Sequence, residues 1–458
     1  MRFNIKSIVA SVIAVGTIAS ASAQNTRSGY FIDDYTYRFE QNPAFGNSQN
    51  FIAMPGLGNI NVSMNGTLGI NDVLYNVDGR TTTFMNPQIS ASEVMSNIGD
   101  NNRVGADVKV TLLAAGFKSW GGYNTIAINA RSGLGAMLPG ELFSLLKEGV
   151  SNKEYNISDV NAFANAYAEI AFGHSHQINK EWRVGGNLKF LLGGANIDAK
   201  LKNARLALGE NDWTITSDAE INANIKGLTY DTDINEDTKH EYVSGLDVDN
   251  TGLNGFGMAL DLGAVYTPKA LPDWSFSVAL LDLGFISWNN NMVASTNGVK
   301  TFNTDRYTFN VDDDAPNSFD NEWDNIKNDL SALYELEDMG DNGGQTRMLG
   351  VTMNIGVQYT LPVYRALSFG LLNTTRIQRN FNWTDFRLSA NIAPAKCIDG
   401  GVNMSVGTFG VGFGWIVNFH TTGFNMFLGM DRTLGKLAKQ GVPLSSNASV
   451  NLGINFPF

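Results

Sequence analysis

The chain has 458 residues with 44 acidic and 32 basic side chains, which give a formal net charge of −12, and 48 of its residues are glycine. This acidity excludes nucleic acid as the expected partner, because neutralising a phosphate backbone needs clustered Lys and Arg. A single cysteine, Cys397, cannot form an internal disulfide, so packing or backbone pairing must stabilise the fold. No fixed-period repeat, heptad pattern or low-complexity linker divides the sequence, which favours one large architecture.

The N-terminus has the pattern of a secretory signal peptide. Arg2 and Lys6 flank the start of an apolar run over residues 7–19, and small residues at 21–23 precede Gln24. The apolar run is shorter than the roughly 18 to 20 residues of a membrane-spanning helix, and no later stretch reaches that length. We therefore expect an exported chain that begins at Gln24 after cleavage and has no helical anchor.

A period of two in hydrophobicity recurs along the chain. In residues 59–70, apolar Ile60, Val62 and Met64 alternate with polar residues, and such runs have the roughly 9 to 11 residues that a tilted strand needs to cross a bilayer. The alternation predicts fourteen strands, near residues 59–70, 104–117, 123–134, 162–177, 182–197, 256–267, 274–287, 347–361, 366–378, 383–393, 397–408, 409–419, 423–432 and 447–458.

The links between these strands alternate in length. One set is tight, such as INKE at 178–181. The intervening links include long ones at 71–103, 135–161, 198–255 and 288–346. Short periplasmic turns and long outer loops are typical of outer-membrane barrels, and a sheet in hydrocarbon leaves no edge open. We predict a closed antiparallel barrel of about fourteen strands, with both termini on the periplasmic side.

Two of the long links contain further predicted elements. Residues 213–226 could add a strand or an outer hairpin, and residues 139–150 predict a short amphipathic helix in an outer loop.

The long links hold much of the charge and two patterns like calcium loops. Residues 288–346 contain twelve acidic and three basic side chains. Carboxylates alternate from Asp231 and from Asp247, but the twelfth positions hold Tyr242 and Met258 instead of a bidentate acid. We expect a solvated acidic surface beside outer-membrane lipid and lipopolysaccharide, and no metal site.

The sequence GHSHQ is the arrangement closest to a hydrolytic site. Some outer-membrane barrels hydrolyse phospholipids with a Ser–His pair, but in a strand Ser175 points away from His174 and His176. His240 and His420 have no nucleophile motif beside them. We therefore expect no enzyme activity, no catalytic residue and no cofactor.

The inward face of the strands is the place where the sequence offers candidate functional residues. Charges are tolerated there, whereas Arg or Lys on the lipid face at mid-bilayer would cost about 2–4 kcal/mol. The polar lumen-facing candidates are Asn129, Arg131, Glu169, Arg183, Lys189, Asp261, Arg387, Asp399 and Asp431. The apolar candidates are Leu113, Phe117, Leu191, Ile416 and Phe427. So many apolar groups favour a narrow barrel with a plugged or an apolar lumen over a wide water-filled pore, and the aromatic-rich segment 24–58 is long enough to enter the lumen as a plug.

The last residues alternate as well, with Val450, Leu452, Ile454, Phe456 and Phe458 on one face. A final strand that alternates and ends in phenylalanine resembles the signal by which the barrel-assembly machinery recognises outer-membrane barrels. The resemblance implies that Phe458 and Phe456 act in assembly and that this machinery is a partner.

A second resemblance begins at Asn42, Pro43 and Ala44 and continues through DLGAVY at 261–266 and LLDLGFISW at 280–288. By itself the triplet reads as a turn, since Pro fixes φ and Asn caps it. Together these stretches resemble a family of uncharacterised Gram-negative outer-membrane β-barrels, over most of the mature chain. That family is similar in turn to long-chain fatty-acid transporters and to the PorV-like barrels that serve type nine secretion.

These patterns predict an all-β outer-membrane barrel with a signal peptide (1–23), an N-terminal periplasmic or plug segment (24–58) and the barrel (59–458). The first functional hypothesis is a conduit or binding site for a hydrophobic small molecule. The alternative is a scaffold without transport, whose acidic loops bind a partner protein or a surface component.

Overall fold

A computed structural model describes residues 26–149, 152–209, 212–236, 238–308, 316–378, 381–433 and 447–458. The predicted signal peptide lies outside the described residues. The strands are β1 Phe51–Ala53, β2 Ile60–Gly66, β3 Leu74–Val77, β4 Arg80–Thr83, β5 Asn101–Ser119, β6 Gly122–Pro139, β7 Lys153–Asn156, β8 Asn161–Gln177, β9 Trp182–Leu208, β10 Trp213–Ile225, β11 Leu228–Ile234, β12 Glu241–Val248, β13 Gly255–Tyr266, β14 Trp274–Trp288, β15 Met292–Ser295, β16 Lys300–Asn303, β17 Glu337–Asp341, β18 Gln345–Met348, β19 Val351–Thr360, β20 Leu367–Ile377, β21 Trp383–Ala395, β22 Ile398–Gly407, β23 Gly410–His420, β24 Asn425–Met430 and β25 Ala448–Pro457. The helices are α1 Ile70–Val73, α2 Ala91–Asn97, α3 Gly140–Glu148 and α4 Phe319–Ala332, with 3₁₀ turns at Arg27–Gly29, Thr36–Glu40 and Thr304–Arg306.

Fourteen strand positions close into an antiparallel barrel. Strands β1 and β2 together form the first position, and the others are β5, β6, β8, β9, β13, β14, β19, β20, β21, β22, β23, β24 and β25. Ile60 of the first position is paired with Leu452 on one side and with Val110 on the other, which closes the ring. The predicted fold and strand number are confirmed. Pairing already begins at Phe51, opposite Pro457, so the barrel starts before the expected boundary at residue 59.

The strands present two chemically different faces, as β21 illustrates. Asp385, Arg387 and Ser389 point inward, with Arg387 only 2% exposed. Phe386 and Leu388 point outward, with Leu388 63% exposed. A closed sheet leaves no backbone polar group unpaired, and an apolar outer face can contact hydrocarbon. Strands can span a membrane when both conditions are met.

The two ends of the barrel differ. We call the end with the short links, such as 120–121 and 178–181, the turn end, and the opposite end with the long links the loop end. At the loop end β9 extends far beyond its neighbours: its first half pairs with β13 and its second half with β10. The predicted extra strand at 213–226 is therefore β10, outside the barrel, where it also pairs with β15 and β16.

The predicted helix at 139–150 is α3. It packs through Phe143 into an apolar cluster with Leu68, Phe84 and Val94 of the 67–100 link. None of the described helices is both long enough and apolar enough to cross a bilayer.

Candidate functional site

The N-terminal segment lies inside the barrel. Its polar groups bond to strands around the whole wall: Ser28 Oγ donates to Asp431 (2.7 Å), and Ser175 Oγ donates to the carbonyl oxygen of Ala44 (2.8 Å). We call residues 26–50 the plug. Most of its side chains are buried, so the plug and the inner wall form one packed unit.

Aromatic rings form the core of the plug. Tyr35 meets Phe427 of the wall edge to face with ring centroids 4.9 Å apart, and Tyr37 meets Phe51 at 5.9 Å. Phe39 joins the same cluster. These rings are at most 5% exposed, and edge-to-face contacts add about 0.5–1.5 kcal/mol each beyond the burial of their area.

The triplet Asn42-Pro43-Ala44 forms a tight turn against two glycines of the wall. Asn42 Oδ1 accepts the Ala44 amide (3.0 Å), while its amide group donates to backbone carbonyls of neighbouring strands. A Cβ added to Gly263 would lie 2.0 Å from Asn42 Oδ1, and one added to Gly185 would lie 2.2 Å from the Pro43 carbonyl oxygen. The turn therefore needs a wall without side chains at these two positions.

Ion pairs hold the start of the plug toward the loop end. Arg27 lies 3.5 Å from Asp385 and 3.7 Å from Asp431, and Asp431 accepts the Ser28 amide (2.6 Å). Arg387 pairs with Asp385 at 3.1 Å and donates to the Asp431 carbonyl oxygen (2.9 Å). These charges are buried, and each has an opposite charge within reach, so removing any one of them would leave its partner uncompensated.

A second buried network lies on the wall itself. Lys189 Nζ is 2.8 Å from Asp261 and 2.7 Å from Asp282. Arg131 is 2.8 Å from Glu169, and two of its guanidinium nitrogens each donate to Asp282 at 2.9 Å. All five charged side chains pair with one another, so none of them presents an unpaired charge to the lumen.

Asp282 is the member of this network that the alternation does not predict. A β-bulge places two residues of β14 opposite Asp261, between the pairs Leu260–Leu283 and Leu262–Leu280. Asp282 adopts a φ of +61° there and turns inward. A lone Asp in the apolar run LLDLGF was the available signal, because a carboxylate on the lipid face is costly.

The structure divides the predicted lumen residues among several environments. Asn129, Arg131, Glu169, Lys189 and Asp261 share the wall network, with Asn129 donating to Glu169 at 2.9 Å. Arg387 anchors the plug, Phe427 packs on it, and Arg183 lies beside Gly46 of the plug. Leu191 is fully buried against Ala259, Ile286 and Trp288 of the wall. These candidates therefore do not form a single site.

Two of the apolar candidates face the opposite way from the expectation. A bulge between Thr111 and Leu113 shifts the phase of β5. Gly116 faces Phe51 inside the barrel, whereas Leu113 is half exposed and Phe117 shares its outer face. The bulge causes this reversal, since one inserted residue exchanges the two faces of a strand.

Aromatic side chains form a buried cluster near the loop end. Phe381 follows β20 and reaches across the lumen, where its ring lies against Gly105 of β5 and 5.8 Å from the Phe163 ring. Phe409 lies 6.3 Å from Phe381 and 6.1 Å from Trp383. We call Phe163, Phe381, Trp383 and Phe409 the aromatic gate. The Arg27 guanidinium stacks 5.0 Å from the Trp383 ring, which connects the gate to the plug.

The HSH sequence does not assemble a nucleophile and base. Ser175 is buried and bonds to the plug, while the rings of His174 and His176 stack with each other at 5.8 Å on the other face. His174 Nδ1 lies 2.9 Å from Asn124 Oδ1. The geometry matches the strand argument that these histidines cannot activate Ser175.

Several solved barrels are similar to this chain. The Pseudomonas putida toluene transporter TodX has 7% identity and a TM-score of 0.40, with 95% of each chain covered. The translocator domain of the autotransporter NalP from Neisseria meningitidis has 8% identity and a TM-score of 0.35, covering 96% of this chain and 100% of that one. A Pseudomonas aeruginosa FadL homologue has 8% identity and a TM-score of 0.31, covering 96% and 94%. No curated protein matches the sequence.

A family of unknown function, DUF5723, matches residues 43–431. The match begins inside the Asn42-Pro43-Ala44 triplet and covers most of the barrel, which confirms the predicted resemblance to an uncharacterised barrel family. The chain belongs to this family of unknown function, DUF5723.

Proposed function

We propose that the protein is a conduit for a small apolar molecule across the outer membrane, with the aromatic gate and the plug as its two barriers. The observation that carries the proposal is the run of aromatic side chains through the lumen, from Phe381 at the loop end to Tyr35, Tyr37 and Phe427 around the plug. Sites for small apolar ligands are lined mainly by such side chains. A water-filled porin has a polar interior instead.

The pairing of the lumen charges supports the same proposal. Arg131, Lys189 and Asp282 are satisfied by one another and by neighbouring carboxylates and amides. An ionic solute would have to break these ion pairs, whereas an apolar solute would only have to displace an aromatic ring in order to pass. The proposal therefore assigns the apolar surface, and not the charges, to the solute.

A reversible cross-link between plug and wall tests whether the plug is a barrier. Ser28 Oγ accepts a hydrogen bond from Asn403 Nδ2 at 3.0 Å, so Ser28→Cys with Asn403→Cys places two thiols side by side, in a Cys397→Ser background. Cells that express this variant are given a neutral naphthylamine dye that fluoresces in lipid. Oxidation is expected to slow dye uptake several-fold and reduction to restore it, while either single cysteine shows no change. Uptake that oxidation leaves unchanged, with the cross-link complete on a gel, would contradict the proposal.

Opening the gate gives a second test with a matched control. Phe381→Ala removes the ring that crosses the lumen, and we expect faster dye uptake. Phe386→Ala removes a ring of the same size from the lipid-facing surface, where Phe386 is 50% exposed, and is expected to leave uptake unchanged.

The outer sheet favours one alternative function, a scaffold for a partner. Strands β15, β16 and β17 pair with β10 or with each other, outside the barrel, and the link that carries them is rich in acid. Ser295 lies opposite Glu337, so a two-residue Asn-Gly turn can replace residues 296–336. A scaffold role predicts that this deletion abolishes association with a partner captured by the full chain and leaves dye uptake intact.

A further inference from the structure

At the turn end, three side chains that could ligate one metal ion converge from the plug and the wall. Asp34 belongs to the plug, Asp399 to β22 and His420 to the end of β23. His420 Nε2 is 3.8 Å from Asp34 Oδ2 and 3.7 Å from Asp399 Oδ2, and one ligand atom from each of the three lies within 4.8 Å of the others. We propose that these residues bind a divalent transition-metal ion, Zn²⁺ in the simplest case, that ties the plug to the barrel wall.

Two buried polar atoms of these residues have no hydrogen-bond partner among the described residues, which points to a ligand there. Asp399 is 5% exposed, and its Oδ1 has no hydrogen-bond partner among the described residues. His420 Nε2 is likewise buried and unpartnered, although an imidazole nitrogen commonly finds a partner in a folded protein. A buried acceptor beside a second carboxylate is costly unless a cation or a donor completes it.

The backbone holds the three ligands in place without the ion. Asp399 lies on the strand next to His420, whose amide donates to the Cys397 carbonyl oxygen (2.9 Å). Asn418 donates to the carbonyl oxygen of Asp34 at 3.2 Å, which fixes the plug over these two strands. The neighbouring carboxylate of Asp33 is already paired with Arg38 and is left out of the ligand set.

The donor set defines the class of ion. Metal–ligand distances of about 2.0–2.2 Å in a tetrahedral site put ligand atoms roughly 3.4 Å apart. The His420 nitrogen lies 3.8 Å and 3.7 Å from the two carboxylate oxygens, so it has to approach each of them by less than about half an ångström, and the two carboxylates lie within 4.8 Å of each other. One imidazole and two carboxylates suit Zn²⁺ and its first-row neighbours, whereas Ca²⁺ and Mg²⁺ prefer oxygen ligands alone. Three protein ligands leave one position to water, and the cleft beside them, lined by Asn47, Asn425 and Asn455, gives access to solvent.

Zinc binding by the full-length barrel in detergent tests the proposal directly. The protein carries no oligohistidine tag, is stripped of metal, and has His174→Gln and His176→Gln in all samples to remove the other histidine pair. After dialysis against low-micromolar Zn²⁺, we expect one zinc per chain by elemental analysis. Asp34→Asn, Asp399→Asn and His420→Gln should each weaken binding by about tenfold or more.

Asp34→Asn is the decisive variant, because the Asp34 side chain is 44% exposed and we expect its substitution to leave the barrel folded. Zinc should also slow proteolysis of the plug in the reference protein and have no effect in Asp34→Asn. The proposal is overturned if the reference protein binds no zinc, if all three variants bind it as tightly as the reference, or if excess Ca²⁺ displaces it.

Discussion

Asp282 shows how a single side chain can set the charge balance of the inner wall. It contacts Arg131 and Lys189 directly and lies 3.9 Å from Arg376. Three cations share this carboxylate in a buried setting, where an uncompensated charge is costly. Removing it therefore leaves three cations on the wall with only two neighbouring carboxylates, Glu169 and Asp261.

Replacing this carboxylate should destabilise the barrel strongly. We expect Asp282→Asn to lower the free energy of unfolding by about 3–5 kcal/mol, the usual range for breaking a buried pair. The measurement is equilibrium unfolding in lipid vesicles, followed by tryptophan fluorescence. Asp233→Asn, on the exposed β11–β12 hairpin, is the control and should change stability little. A small loss for Asp282→Asn would mean that Glu169 and Asp261 already balance the cations.

For individual residues, the sequence correctly predicts many of the side chains that point inward, but the predicted direction is wrong or missing at the β-bulges. Period-two alternation assigns Glu169, Lys189 and Asp261 to the face that the structure buries. It assigns Leu113 to the wrong face because Leu113 follows a bulge, and it passes over Asp282 because Asp282 lies within one. A one-residue insertion is invisible in a pattern read one strand at a time, since only the partner strand defines the register.

Among the elements, the turn at Asn42-Pro43-Ala44 depends on the glycines it touches. Gly185 and Gly186 are neighbours on β9, but they face opposite sides. A Cβ on Gly185 would collide with the plug backbone, whereas one on Gly186 would meet nothing closer than 3.4 Å. The pair provides a test in which the substitution is the same and only the face differs.

We expect Gly185→Ala to loosen the plug and Gly186→Ala to leave it in place. The reason is steric, since the Pro43 carbonyl oxygen would lie 2.2 Å from the new methyl carbon. Limited proteolysis of the detergent-solubilised protein, with cleavage sites mapped by mass spectrometry, reports on residues 26–50. Faster cleavage there in Gly185→Ala alone is the predicted result. Equal protection of the plug in both variants would show that the turn can shift along the wall.

The whole molecule is a ring whose seam joins the first and last strand positions. Val62 and Val450 lie directly opposite each other across that seam. Opposed residues on antiparallel strands have Cβ atoms about 4.5–5.5 Å apart, close enough for cross-linking. Val402 on β22 also points outward but lies several strands away.

A disulfide across the seam should join the first and last strand positions covalently. Val62→Cys with Val450→Cys, in a Cys397→Ser background, is expected to oxidise to a species with altered mobility on a denaturing gel without reductant. Val62→Cys with Val402→Cys should show no such species. Cross-linking of the second pair, or none in the first, would disprove the strand order described above.

At the scale of the whole fold, the sequence predicts the strands of the barrel better than it predicts the plug inside it or the sheet outside it. The fourteen strands and the two kinds of link follow from local alternation and turn residues, which depend on neighbouring positions alone. The path of the plug does not, because contacts such as Arg27 with Asp385 or Asp34 with His420 join residues that are far apart in the chain. The outer sheet is predicted only at residues 213–226, since β9 continues as a strand well past the point where its barrel neighbours end.

The plug precedes the first strand and yet contacts the last ones: Thr36 donates to Asn455 (3.2 Å) and accepts from Asn425 (3.0 Å). A finished ring admits a folded segment only through its ends, whereas an unfinished sheet is open along its side. We therefore expect the plug to dock on the growing sheet before the barrel closes, so that the arrival of the final strand both completes the wall and encloses the plug within it.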